Sequence, residues 1–134
     1  MWKLNINDEK KLLILKISDI LILSELSEIL KAIYDENEGK FAAFNRFADL
    51  SDLKDIKIDI DTVSSRIHEY RGQIKLDAPV KISLFIPRKY IVGFSSIYKS
   101  MLSDDLFSVK ISDSLDDCAE YLSVDKRLLE TAVK

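Results

Sequence analysis

The sequence predicts an α/β domain: a mixed, mostly parallel sheet with an N-terminal antiparallel hairpin and about four helices. Three observations carry that prediction. Two strand-like segments separated by a short polar turn open the chain. Beyond them, helical and strand-like periodicities alternate, which implies parallel strands joined by right-handed crossovers. Finally, 134 residues with 47% hydrophobic and 32% charged side chains suffice for one core, with no linker, repeat or low-complexity segment. The expected unit is one domain over residues 1–134, in which residues 125–134 either add a helical turn or two or fray.

Taken in order, Trp2, Leu4 and Ile6 alternate with Lys3, Asn5 and Asn7, the period of a half-buried strand. Asn7-Asp8-Glu9-Lys10 is a polar turn, and L-L-I-L-K-I (residues 12–17) is a second strand. Its nearly continuous apolar character predicts burial on both faces, as in a sheet covered by helices. Residues 20–23 (I-L-I-L) fit an extended strand, a loop or a helix staple. Ser24 is placed to cap a helix whose stripe is Leu26, Ile29, Leu30 and Ile33, with Gly39 as its stop. Phe41–Leu50 reads as the next strand, its alanines allowing close packing of a helix on a central strand.

Ile56, Ile58 and Ile60 then alternate with charged residues, as an edge strand or, the reading preferred here, an extended lead into a helix. That helix spans about Thr62 to Arg71, capped by Asp59 or Asp61, with Val63, Ile67 and Tyr70 on one face and Gly72 at its end. Val80–Ile86 is an apolar strand stopped by Pro87. A helix follows from Tyr90 to about Leu102, then a strand bearing Phe107, Val109 and Ile111. The last helix is capped by Ser114 and carries Leu115, Cys118, Ala119 and Leu122.

Composition excludes several functions. The net charge of −3 is mild and no basic stripe is present, so nucleic acid is not an expected partner. A single cysteine, Cys118, rules out an internal disulfide and fits a reducing compartment. No apolar run approaches the roughly 20 residues of a membrane span, and the opening M-W-K-L-N-I-N reads as a strand rather than a signal peptide. The expected location is cytoplasmic.

The acidic run Asp49, Asp52, Asp55, Asp59, Asp61 lacks the glycine and terminal glutamate of a calcium loop, and Lys54 and Lys57 interrupt it. It reads as a solvated loop with helix caps, and no metal is expected. His68 is the only histidine and has no partner motif; Cys118 lies on an apolar helical face, where a thiol is inert packing. Gly39, Gly72 and Gly93 are too widely spaced for a phosphate-binding loop. With no catalytic constellation and no cofactor motif, the chain is not expected to be an enzyme.

The strand-to-helix joint 86–98 is the candidate binding site. Tyr90, Phe94 and Tyr98 recur every four residues on one helical face, with Arg88 at its N-terminal end. Such a face either packs the core or walls a pocket whose mouth carries a cation and a helix N-terminus. In the second case the ligand is small, hydrophobic or amphipathic, and anionic, with Arg88 on its acidic group and Tyr90, Phe94 and Tyr98 on its apolar part. Ser51, Ser64 and Ser65 are further candidates, as phosphorylation sites. The half-polar strand Phe107–Ile111 could pair with its copy in a homodimer, which Lys110 discourages.

An opening hairpin and amphipathic helix, an apolar strand ending in Asp49-Leu50-Ser51, a strand stopped by Pro87, the Gly93-Phe94 pair, and the closing V-K-I-S-D-S-L-D-D-C-A-E-Y-L together form a familiar order. Over roughly residues 1–123 the chain resembles the SpoIIAA-like group of the STAS (sulfate transporter and anti-sigma-factor antagonist) superfamily. The resemblance implies a mixed sheet of four or five strands under helices, a regulatory binding module without cofactor or catalysis, and kinship with small lipid-binding α/β domains. It also implies an alternative, a partner-switching regulator acting through the surface around Ser51 to Ser65. The antagonists present a regulatory serine in an Asp-Ser-Ser-Gly-type segment. Here the corresponding stretch is D-I-D-T-V-S-S-R-I, with no glycine after the serines, so that role is not carried onto Ser64 or Ser65.

Overall fold

A computed structural model describes residues 1–86 and 103–133, apart from the side chains of residues 37 and 38. Trp2–Asn7 (β1) and Leu12–Ile17 (β2) form the expected antiparallel hairpin, Trp2 opposite Ile17 and Asn7 opposite Leu12. Its turn is held by the Asn7 side chain, which accepts from the Lys10 N–H at 2.9 Å. Asn45–Asp49 (β4), Val80–Phe85 (β6) and Phe107–Ser112 (β7) then add in parallel, giving the order β1-β2-β4-β6-β7. Outside this sheet, Asp19–Leu21 (β3) pairs in parallel with Leu53–Ile56 (β5) across an irregularity at Asp19/Ile20. Four α-helices are present among the described residues: Leu23–Tyr34 (α1), Ile60–Arg71 (α2), Leu115–Leu122 (α3) and Lys126–Val133 (α4). None of them is long and apolar enough to cross a membrane.

The local chemistry matches much of the expected pattern. Asp59 caps α2, accepting from the Thr62 N–H at 2.9 Å and from its hydroxyl at 2.7 Å. Ser114 caps α3 by accepting from the Asp117 N–H. Gly72 ends α2 with φ of −67°, an ordinary right-handed value. The tail forms α4 because Leu129 is wholly buried against the sheet, an anchor that prevents fraying.

Four expectations change, the first being the extended lead preferred before α2, where Leu53–Ile56 is instead a strand because β3 is there to pair with it. Ser24 is not a cap: α1 begins at Leu23 with no side-chain cap, because the β3 pairing ends at Leu21 and the chain turns directly into the helix. Gly39 does use a left-handed φ of +73°, but inside a 3-10 segment (Glu36–Ala43) after α1 has ended at Tyr34. An added Cβ there would stand 3.2 Å from the Tyr34 carbonyl oxygen. The strand expected from Phe41 begins only at Asn45. Phe41, Ala42 and Phe44 are buried at a spacing that suits a tight turn, and the two rings meet edge to face at 5.5 Å.

The sheet is covered on both sides, which explains the apolar run in β2. Leu13 and Ile17 face α1 and α2, together with Ile29, Leu30, Ile33, Val63 and Phe107. Leu12 and Ile14 face α3 and α4, with Phe47, Cys118, Leu122 and Leu129. β7 forms one sheet edge, burying Phe107 and Val109 and exposing Ser108 and Lys110 as the alternation predicts. Residues 87–102, with the expected helix from Tyr90, lie outside the described residues.

Candidate functional site

Alternation along β4 decides what each face of the sheet can hold. Phe47 and Asp49 point to the α3/α4 side, whereas Arg46 and Ala48 point to the α1/α2 side. Ala48 is small and β4 is the middle strand, so the two helices cannot fill the space above it. A cavity of about 170 Å³ results. Its walls are aliphatic: Leu13 and Leu15 from β2, Ile29 and Ile33 from α1, Val63 and Ile67 from α2, and Leu84 and Val109 from β6 and β7. Leu21, Leu53 and Ile56 close it from the small β3–β5 sheet.

Two guanidinium groups break this apolar lining. Arg46, only 6% exposed, donates from Nη2 to the Ala42 carbonyl at 3.0 Å, and its Cζ lies 5.3 Å from the Tyr34 ring and 5.4 Å from the Phe107 ring. Its Nη1 is buried without a hydrogen-bond partner among the described residues. Arg71, at the end of α2, stacks on the same Phe107 ring at 4.0 Å and donates to Asp104 Oδ2 at 3.2 Å. Burial pushes the Arg46 guanidinium below its ordinary value; Tyr34 opposes the shift and the neighbouring Arg71 adds to it. A guanidinium nevertheless stays protonated at neutral pH. The cavity thus has a hydrocarbon body and a cationic wall, in which Asp104 pairs with Arg71 and no described carboxylate pairs with Arg46.

None of the sequence candidates among the described residues lines this cavity. Arg88, Tyr90, Phe94 and Tyr98, like Gly93, lie outside the described residues. The acidic run is dispersed. Asp49 is fully buried and accepts from the Ser51 N–H at 2.9 Å and its hydroxyl at 2.6 Å. Asp52 pairs with Lys16 at 3.0 Å, Asp55 with Lys57 at 2.9 Å, and Asp59 caps α2. Among the described residues no three metal-ligating side chains cluster. His68 is exposed on α2, and Ser64 and Ser65 lie on the same helix. Cys118 is wholly buried, and that burial pushes its thiol above its ordinary value.

Arg46 and Arg71 are the residues that pattern reading missed. A signal existed for each. Arg46 sits inside F-A-A-F-N-R-F-A-D-L, where a charge on a central strand has no solvent to reach. Arg71 follows Val63 and Ile67 at helical spacing, on the face that packs inward. No protein-family model matches the chain, and no curated protein matches it either.

Proposed function

We propose that this protein is a non-enzymatic, STAS-like binding module that holds a small hydrophobic or amphipathic ligand in the cavity between the sheet and α1/α2. The observation that carries the reading is the cavity itself, about 170 Å³ of largely aliphatic space above the centre of the sheet. A cavity of about 150 Å³ lined by aliphatic and aromatic side chains stays dry and takes up benzene, so this one is large enough for a comparable ligand. The antiparallel hairpin leading into parallel strands in the order β1-β2-β4-β6-β7 supports the resemblance to STAS domains. The ligand seat moves, in this reading, from the joint 86–98 to the centre of the α1/α2 face.

Titration with 1-hexanol, followed by amide chemical shifts, tests the proposal. Binding should shift amides at Leu13, Ala48 and Val109 in a saturable manner, and Ala48→Ile, which fills the cavity from its floor, should abolish the response. Shifts that never saturate, or that persist in the filled variant, would remove the cavity as the binding site.

A further inference from the structure

We infer that the ligand of this cavity is a monocarboxylate with an aliphatic chain of about six to eight carbons, its carboxylate held by Arg46. The inference rests on the cavity reading above and names the ligand class.

Arg46 is the primary observation. Its side chain lines the cavity, it is 6% exposed, and its Nη1 lacks a hydrogen-bond partner among the described residues. A buried cation with an idle donor is one of the costlier arrangements in a protein. The two aromatic rings beside it and the Ala42 carbonyl compensate only partly. Water resolves the deficit only in part, since it satisfies the donor but brings no negative charge. An anionic oxygen resolves it directly, through a charge-assisted hydrogen bond.

The charge balance then selects among anions. Arg46 and Arg71 carry two positive charges, and Asp104, paired with Arg71 at 3.2 Å, neutralises one of them. Among the described residues no carboxylate pairs with Arg46, so a single negative charge suffices there, which fits a monoanion and disfavours a doubly charged phosphate ester. Phosphate would also bring three oxygens into a site whose remaining walls offer Leu, Ile and Val side chains. A carboxylate brings two oxygens and leaves the rest of the ligand apolar. Volume sets the chain length: the benzene-holding cavity of about 150 Å³ sets the scale, and the present 170 Å³ fits a slightly longer hydrocarbon.

Calorimetric titration of the whole chain at neutral pH with hexanoate, octanoate, dodecanoate and 1-hexanol tests this. Hexanoate should bind at least about tenfold tighter than 1-hexanol, because only the carboxylate satisfies the guanidinium. Affinity should rise about fourfold per added methylene until the cavity is full, then stop rising by dodecanoate. In Arg46→Met, hexanoate should lose that advantage while 1-hexanol still binds, which also shows that the variant is folded. Equal affinities for hexanoate and 1-hexanol in the unaltered protein would overturn the carboxylate inference and leave the cavity reading intact. Unchanged hexanoate binding in Arg46→Met would do the same. If neither ligand binds, both readings fall.

Discussion

Replacing Arg46 with methionine should make the ligand-free protein more stable, an unusual result for a fully buried strand position. Three terms set the sign. The substitution removes one hydrogen bond and leaves the Ala42 carbonyl without its donor, costing about 1–3 kcal/mol. It also removes two cation–ring contacts, to Tyr34 and Phe107, at roughly 0.5–1 kcal/mol each. Against this, it relieves a cation that is held away from water without an ion partner among the described residues, a penalty of several kcal/mol. The flexible methionine stem follows the path of the arginine stem, so packing is largely kept. With the hydrogen-bond and ring terms at the low ends of their ranges, the balance favours the variant by about 1–2 kcal/mol, a rise in Tm of roughly 3–8 °C for a chain of this size. Urea denaturation of the two proteins, without added ligand, measures it. A loss exceeding about 2 kcal/mol would show that the guanidinium is a structural tie rather than a group kept for an absent anion.

Other perturbations probe the opposite side of the sheet and the helix ends. Phe47→Ala, at the centre of the α3/α4 core, should cost about 3–5 kcal/mol in the same denaturation assay. Ser114→Ala removes the cap of α3 and should cost about 1 kcal/mol, with Ser114→Gly recovering most of it. Cys118 should resist thiol reagents until the protein is unfolded. Because burial raises its thiol above the ordinary value, the folded state keeps a proton that the unfolded chain releases first. Its contribution is therefore complete below the unfolded thiol value and is lost as pH rises through the folded one. Stability measured against pH in the alkaline range should fall more steeply for the parent protein than for Cys118→Ala.

The parts of the fold that were legible in the sequence are those where one periodicity dominates. The alternation in β1 and the stripe of α1 each reflect one buried face, and the continuous apolar run of β2 reflects burial on both faces. The same reasoning located Asp59 and Ser114 as caps, because capping needs only a side chain and a nearby backbone N–H. It misread Phe41–Phe44, where an apolar run serves a 3-10 turn, and it preferred an extended lead where Leu53–Ile56 forms a strand. Pairing of β3 with β5 is a contact between distant segments that no local pattern encodes. The cavity was not legible in the sequence for a related reason. Aromatic spacing in 90–98 drew attention to one helix, whereas the cavity depends on a small residue, Ala48, facing two helices across a sheet. The sequence signals were Arg46, a charge inside an apolar strand, and Arg71, in helical register with Val63 and Ile67.

The small β3–β5 sheet also has a kinetic consequence. Its strands hydrogen-bond to each other, not to the five-stranded sheet, yet Leu21, Leu53 and Ile56 form part of the cavity wall. A two-stranded ribbon has little stability of its own, so this wall can open at the cost of a few local hydrogen bonds. Amides in 19–21 and 53–56 should therefore exchange with solvent deuterons well before those of β4, which is bonded on both sides. Release of a bound molecule through that seam would follow the frequency of local opening, not that of global unfolding.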